Sequence, residues 1–211
     1  LLFIRHHIIT CTRIEEVPFM AKDILSNHPN SSSARMVNPD LSPKELVVIV
    51  DEHNVEIDSA PRALMRKEGL IHRATYILVF NSGGQLFVQD RTMTKDIFPE
   101  YHDLCTGGVV LAGEEYEESA RRELEEELGI KGVLLKFLFD FYGEYAGQKV
   151  WGRVFSCISD GPFILQSEEL SGGAFHEIDE VKELISKEPC TPDSVYVLER
   201  YLNMPGSFHG G

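Results

Sequence analysis

Basic side chains are scarce in this 211-residue chain: 20 Lys and Arg stand against 34 Asp and Glu, a formal net charge of −14. A chain this acidic does not grip a phosphate backbone over a broad face, so a DNA- or RNA-coating role is excluded. A small phosphorylated ligand is not, because a bound divalent cation inverts the local sign. Cysteine is sparse as well. Cys11, Cys105, Cys157 and Cys190 form no C-x-x-C pair and match neither a disulfide framework nor a zinc site. They read as reduced thiols in a reducing compartment, the cytoplasm. No apolar run approaches the roughly 20 residues that span a bilayer, so no membrane partner is expected. The start of the chain lacks the basic n-region and small-residue cleavage site of a secretory signal, and an organellar transit segment is the one targeting signal it leaves open. There is no internal repeat.

What is present suffices for a packed core, with 43% hydrophobic and 26% charged residues. The stretch from Ser26 to Ser42 is rich in Ser, Asn and Pro and reads as a linker. Residues 1–44 are therefore expected to be a disordered extension, a tag or a linker, with Met20 or Met36 as alternative starts. The folded domain is expected over 45–203, and a flexible tail over 204–211. Within the domain, strand-like and helix-like segments alternate. ELVVIVD and ATYILVF are β-branched apolar runs, and LFVQDR returns after the turn NSGGQ as the second arm of a hairpin. Ser59 is the expected cap of a short helix that ends before Gly69. LCTGGVVL reads as a strand with a glycine break. VLLKFLFDFYGEY and VWGRVFSCIS flank the turn AGQK, and a short strand is expected at Ala174–His176. Two helical segments, EIDEVKELISKE and SVYVLERYLN, close the domain.

The chemistry lies between Gly108 and Ile130, GVVLAGEEYEESARRELEEELGI. The segment from Glu114 is a strong helix former, and Gly129 sits where a C′ glycine belongs. Tyr116, Ala120, Leu124 and Leu128 form an apolar stripe that must face the core. Glu123, Glu126 and Glu127 crowd an adjacent face late in the helix. Like charges at that spacing repel, and acids in the last turn oppose the helix dipole. A cation turns that repulsion into attraction. Carboxylates without His or thiol partners suit a hard ion, Mg²⁺ or Mn²⁺.

Gly108, five residues, Glu114, seven residues, then Arg122-Glu123-Leu124-Glu125-Glu126-Glu127-Leu128-Gly129-Ile130 resembles the Nudix box at every defined position. LIHRATYILVF, QDRTMTKDIFP, TGGVV, VWGRVFSC and TPDS extend the likeness over about 45–203, to the isopentenyl-diphosphate-isomerase-like branch and, within it, to bacterial hydrolases of the YfcD type. The resemblance implies an α/β fold: a three-layer α/β/α sandwich with a central mixed sheet. It implies Mg²⁺, with Mn²⁺ able to substitute, and cleavage of a diphosphate bond in a small molecule. The default substrate is a nucleoside diphosphate or nucleotide-linked diphosphate, on family analogy alone. Glu123 and Glu127 would be the main metal ligands, Glu126 an additional one, and the Gly107–Gly108 backbone would approach metal and phosphate. Glu114 and Arg122 would pair to hold loop and helix. Arg91 and Lys95 match the pair that grips the diphosphate. The general base stays open among Glu169, its neighbour Glu168, and the box residues Glu126 and Glu127. Tyr101, His102, Phe141, Tyr142 and Trp151 are candidates for a pocket wall, and a homodimer is compatible with the resemblance.

Two other readings are weighed. The isomerase of this branch needs a Cys and a His beside the box, which align with Gly107 and Val109. Further metal ligands align with Met65, Gln148 and Val150, and only His72 is kept; Cys105 lies two residues off the expected position. A non-catalytic binding module usually loses box glutamates, and none is lost here.

Overall fold

A computed structural model describes residues 46–207, so the readings on 1–44 and on 208–211 lie outside the described residues. The apolar runs become β1 (Leu46–Val50), β2 (Glu56–Pro61), β3 (His72–Phe80) and β4 (Leu86–Arg91), with α1 (Arg62–Glu68) between β2 and β3. A two-residue β5 (His102–Asp103) precedes the box helix α2 (Tyr116–Leu128). Then follow β6 (Lys136–Tyr145), β7 (Gln148–Ile158), β8 (Leu170–His176), α3 (Ile178–Lys187) and α4 (Pro192–Leu202). The eight strands form one mixed sheet. Its spine is the parallel pairing of β3 with β7, from His72↔Val150 to Phe80↔Ile158. β1 joins β2, β4 joins β8 and β6 joins β7, all antiparallel.

Side chains alternate across a strand, and β3 therefore feeds two cores. Ile77 and Val79 pack with the α2 stripe Tyr116, Ala120, Leu124 and Leu128. Ala74, Leu78 and Phe80 pack with Val181 of α3 and with Val197, Leu198 and Tyr201 of α4. The result is the expected helix–sheet–helix sandwich.

α2 begins with a capping box in which the Glu115 side chain accepts from the Glu118 N–H and Glu118 reaches back to the Glu115 N–H. It ends at Gly129, whose φ of 70° is the left-handed conformation that glycine adopts without penalty.

Three local expectations are corrected. Ser59 does not cap α1: it lies in β2 opposite Val48, and Pro61 is the residue before the helix. LCTGGVVL is not a continuous strand. It touches the sheet through isolated bridges, Ile77↔Thr106, Ala74↔Val109 and Val47↔Leu111. Gly107 interrupts the ladder with a φ of 151°. β8 begins at Leu170, four residues before the expected Ala174, because β4 pairs along its whole length.

Leu124 is completely buried under the sheet. Leu124→Ala should cost about 2–5 kcal/mol of stability, read from the denaturant midpoint. Leu134→Ala, at a side chain that is 85% exposed, should change stability by no more than about 0.5 kcal/mol.

Candidate active site

A cleft of about 830 Å³ opens between α1, the glycine loop, the last turns of α2 and the loops 92–101 and 159–169. Glu123 and Glu127, one helical turn apart, reach it from the edge of the α2 stripe and are both buried. Burial raises the pKa of Glu123, against the pull of Arg122. Burial also raises Glu127, to about 8, with the Glu123 charge adding and Lys95 opposing. Two desolvated carboxylates so close are costly as neighbours, and the surroundings answer with donors.

The Arg122 guanidinium forks onto Glu114, with Nε donating to Oε1 at 2.8 Å and Nη2 to Oε2 at 3.0 Å. Its Nη1 donates to Glu123 Oε1 at 2.8 Å and to Glu126 Oε2 at 3.0 Å. Glu126 is exposed, yet it borders the cleft. Glu127 accepts from the Gly107 backbone N–H and from Gln89 Nε2 at 3.1 Å. Gln89 is held in turn by the Thr106 hydroxyl at 3.0 Å. Sequence reasoning missed Gln89. Its signal was there: LFVQDR alternates, and Gln89 shares a face with the buried Phe87, a polar residue at a core position.

Both glycines of the loop, Gly107 and Gly108, are required by close approach. A Cβ on Gly108 would lie 2.5 Å from Glu123 Oε1. One on Gly107 would lie 2.1 Å from the Thr75 carbonyl oxygen. Gly129 instead ends the helix at the distal side of the site.

The opposite wall is built on the free carbonyls of α2. Ile164 N–H donates to the Leu128 carbonyl and Gln166 N–H to that of Glu127, both at 3.0 Å. Glu169 N–H then closes a turn onto Gln166. This brings Glu169 into the cleft, where its carboxylate forms an ion pair with Lys95. Lys95 Nζ also lies 3.9 Å from Glu127 Oε1. Glu168 points away: it is exposed, and its backbone carbonyl accepts from the Thr92 and Thr94 hydroxyls. Of the two neighbouring glutamates, Glu169 is thus the one within the cleft.

Arg91 borders the cleft but holds the loop in place. Its Nε donates to the Phe98 carbonyl at 3.0 Å, Nη2 to that of Ile97 at 2.7 Å, and Nη1 to Asp103 at 3.0 Å. The expected aromatic wall is corrected. Phe141 is in the core against Tyr76 and Tyr196. Tyr142 stacks on Trp151, Tyr101 on Phe98, and His102 pairs with Asp90. The aromatic residues of the cleft are Tyr76, Phe98 and Tyr145. Tyr76 donates to Asp193 at 3.1 Å. Sequence reasoning had no signal for these, because which face of β3 meets the cleft depends on where α1 and α4 stop.

The isomerase ligands do not reappear by other routes. His72 is buried, its pKa driven down to about 4 by desolvation, with Nδ1 3.4 Å from the Leu70 carbonyl. Burial holds the Cys105 thiol well above its ordinary value. Among the described residues no three His, Cys, Asp or Glu side chains converge as a preformed cage. The donor set nevertheless fits a hard divalent cation in kind: buried, acceptor-only carboxylate oxygens beside a glycine backbone, their charge now balanced by Lys95 and Arg122.

Residues 70–199 match the NUDIX domain family model. The chain is 46% identical over 162 residues to an uncharacterized Nudix hydrolase, PA4841, of Pseudomonas aeruginosa, with 77% of this chain and 96% of that protein covered. It is 45% identical over 162 residues to the uncharacterized Nudix hydrolase YfcD of Escherichia coli (strain K12), covering 77% and 89% of the two. Among solved structures, DR0079 from Deinococcus radiodurans superposes with a TM-score of 0.64 at 26% identity, over 74% of this chain and 98% of that one. A MutT protein from Methanosarcina mazei Go1 shares the fold, with a TM-score of 0.53 at 21% identity over 64% and 96%.

The two glycines should separate by readout. Gly107→Ala pushes a methyl into backbone and should lower the melting temperature by several degrees, on the order of 1–3 kcal/mol. Gly108→Ala pushes one into the Glu123 carboxylate and should chiefly weaken divalent-cation binding, measured by Mn²⁺ titration.

Proposed function

The chain belongs to the Nudix hydrolase family, and on that premise we propose that it cleaves the diphosphate bond of a small phosphorylated metabolite with Mg²⁺, or Mn²⁺ in its place. The observation that carries this reading is the pair of buried carboxylates, Glu123 and Glu127, set against the glycine loop in a cleft that also presents five Arg and Lys side chains. Glu123 and Glu127 would hold the ion, with Glu126 and the Gly107 backbone at its margin. When bound, such an ion neutralises diphosphate charge and makes water a better nucleophile.

The remaining work belongs to the chain. Arg122 orients Glu123 and favours its ionised form, and Gln89 orients Glu127. Lys95, on a flexible stem beside both Glu127 and Glu169, is placed to move from carboxylate to phosphate. Glu169, freed of that ammonium, is the general base we favour, since it faces the box helix across the cleft. Arg91 sets the loop that carries Lys95. The leaving group is a nucleoside phosphate or a similarly sized phosphorylated group, for which a cleft of about 830 Å³ has room. The isomerase reading is less well supported, because Cys105 and His72 are buried and Val150 and Met65 are core residues.

Release of phosphate or nucleotide from a panel of nucleoside diphosphates, nucleotide sugars, dinucleotide polyphosphates, CoA derivatives and isopentenyl diphosphate should require Mg²⁺ and vanish with EDTA. Glu127→Gln should lower kcat by roughly a hundredfold or more with the fold retained. Glu169→Gln should lower it by about 10²–10⁴ with little change in KM. Isomerisation of isopentenyl diphosphate without phosphate release would sink the reading.

A further inference from the structure

The cleft is lined by five Arg and Lys side chains: Arg62, Arg66, Arg91, Lys95 and Arg122. Four of them are committed. Arg66 pairs with Asp96, Lys95 with Glu169, Arg91 with Asp103 and two carbonyls, and Arg122 with Glu114, Glu123 and Glu126. Arg62 is different. It makes no hydrogen bond and no ion pair among the described residues. It is half-buried at the start of α1.

Arg62 lines the same cleft as Glu123, Glu126 and Glu127 and is bonded to none of them. The Glu123 carboxylate feels the Arg62 charge, and so does the His72 imidazole. The Pro61 that precedes it is the last residue of β2, paired with Leu46, so its backbone is anchored to the sheet. A guanidinium does not shed its charge at ordinary pH. Taking it partly out of water without an anion is costly. Its planar fork matches the oxygens of a phosphate better than an ammonium does.

We propose that Arg62 is the guanidinium that grips the substrate phosphate remote from Glu123 and Glu127, the part that the family resemblance assigns to Arg91. The assignment rests on the diphosphate reading of this cleft and deepens it. The two phosphates are then divided between two groups of side chains: one lies at the box carboxylates with their cation, and the other bridges to the fork of Arg62. The bond cleaved lies between them, and the organic group extends past Arg62 toward Tyr76, Asp193 and Tyr145.

The test is binding of imidodiphosphate, a non-hydrolysable diphosphate, to the full chain in Mg²⁺, by calorimetry. Arg62→Ala should weaken it by about tenfold to a hundredfold, and Arg62→Lys should recover part of the loss. The affinity for Mg²⁺ alone should not fall, and the melting temperature should change little, because no hydrogen bond or ion pair of Arg62 is removed. Arg91→Ala should behave in the opposite way, lowering the melting temperature. Imidodiphosphate affinity within twofold of the parent in Arg62→Ala overturns the proposal, and so does failure of the parent to bind it. Joint loss of Mg²⁺ affinity and melting temperature in Arg62→Ala also overturns it, in favour of a structural role. If Arg62→Ala does not fold, Arg62→Gln reads the same quantity. The hydrolase reading fails separately. Loss of imidodiphosphate binding in Arg62→Ala, with no phosphate released from any diphosphate by the parent, would leave the anion site standing and remove the reaction.

Discussion

The Arg122 guanidinium donates to both oxygens of Glu114, to Glu123 and to Glu126, and also to the Val109 carbonyl. Burial alone would lower its pKa, but the bonds to Glu114 and the charge of Glu123 outweigh that and raise it. One side chain thereby ties the glycine loop to the box helix and holds the first buried carboxylate in its rotamer. Losing that guanidinium would leave the buried Glu123 carboxylate without its cation. Val109 of the glycine loop and the Glu123 carboxylate are both held by it, and with them one side of the cleft.

The box helix is poorly designed as a helix and well designed as a site. Its last turn carries no basic residue and several acids, against the macrodipole. Its C-terminal carbonyls are satisfied from elsewhere, by Ile164 and Gln166. The same hydrogen bonds that end the helix deliver Glu169 to the far wall. Local conflict is tolerated where tertiary structure supplies cations, and such conflicts concentrate at functional sites. Here one cation, Arg122, is the helix's own, and the others come from the loop 92–101 and from α1, elements distant from the helix in sequence.

That separation explains what could be read in advance. The α2 stripe, the buried strands and the left-handed Gly129 are legible because each depends on spacing within one short segment, and the meeting of Glu114 with Arg122 is what the family resemblance implies. Ser59 was misread, and LCTGGVVL was read correctly in its glycine break but not in its reduction to isolated bridges, for the same reason: their state depends on partners in β1 and β3 that local pattern does not contain. Gln89 was readable in principle, as a polar residue at a buried strand position. Arg62 was not, because nothing in SAPRALM distinguishes a cleft cation from a surface one.

The family likeness and the helix that carries Glu123, Glu126 and Glu127 are legible in the chain alone, since helical periodicity and glycine spacing are properties of a continuous stretch, and the layered α/β fold follows from that likeness. Which cations face those carboxylates was settled only by folding. It drew Arg91 into its own loop, set Lys95 between Glu127 and Glu169, left Arg62 without a partner, and turned Phe141 and Trp151 away from the cleft. The physical reason is that a hydrogen bond or an ion pair depends on distance in space. Those distances are fixed by the pairing of β3 with β7 and by where α1, α2 and α4 begin and end.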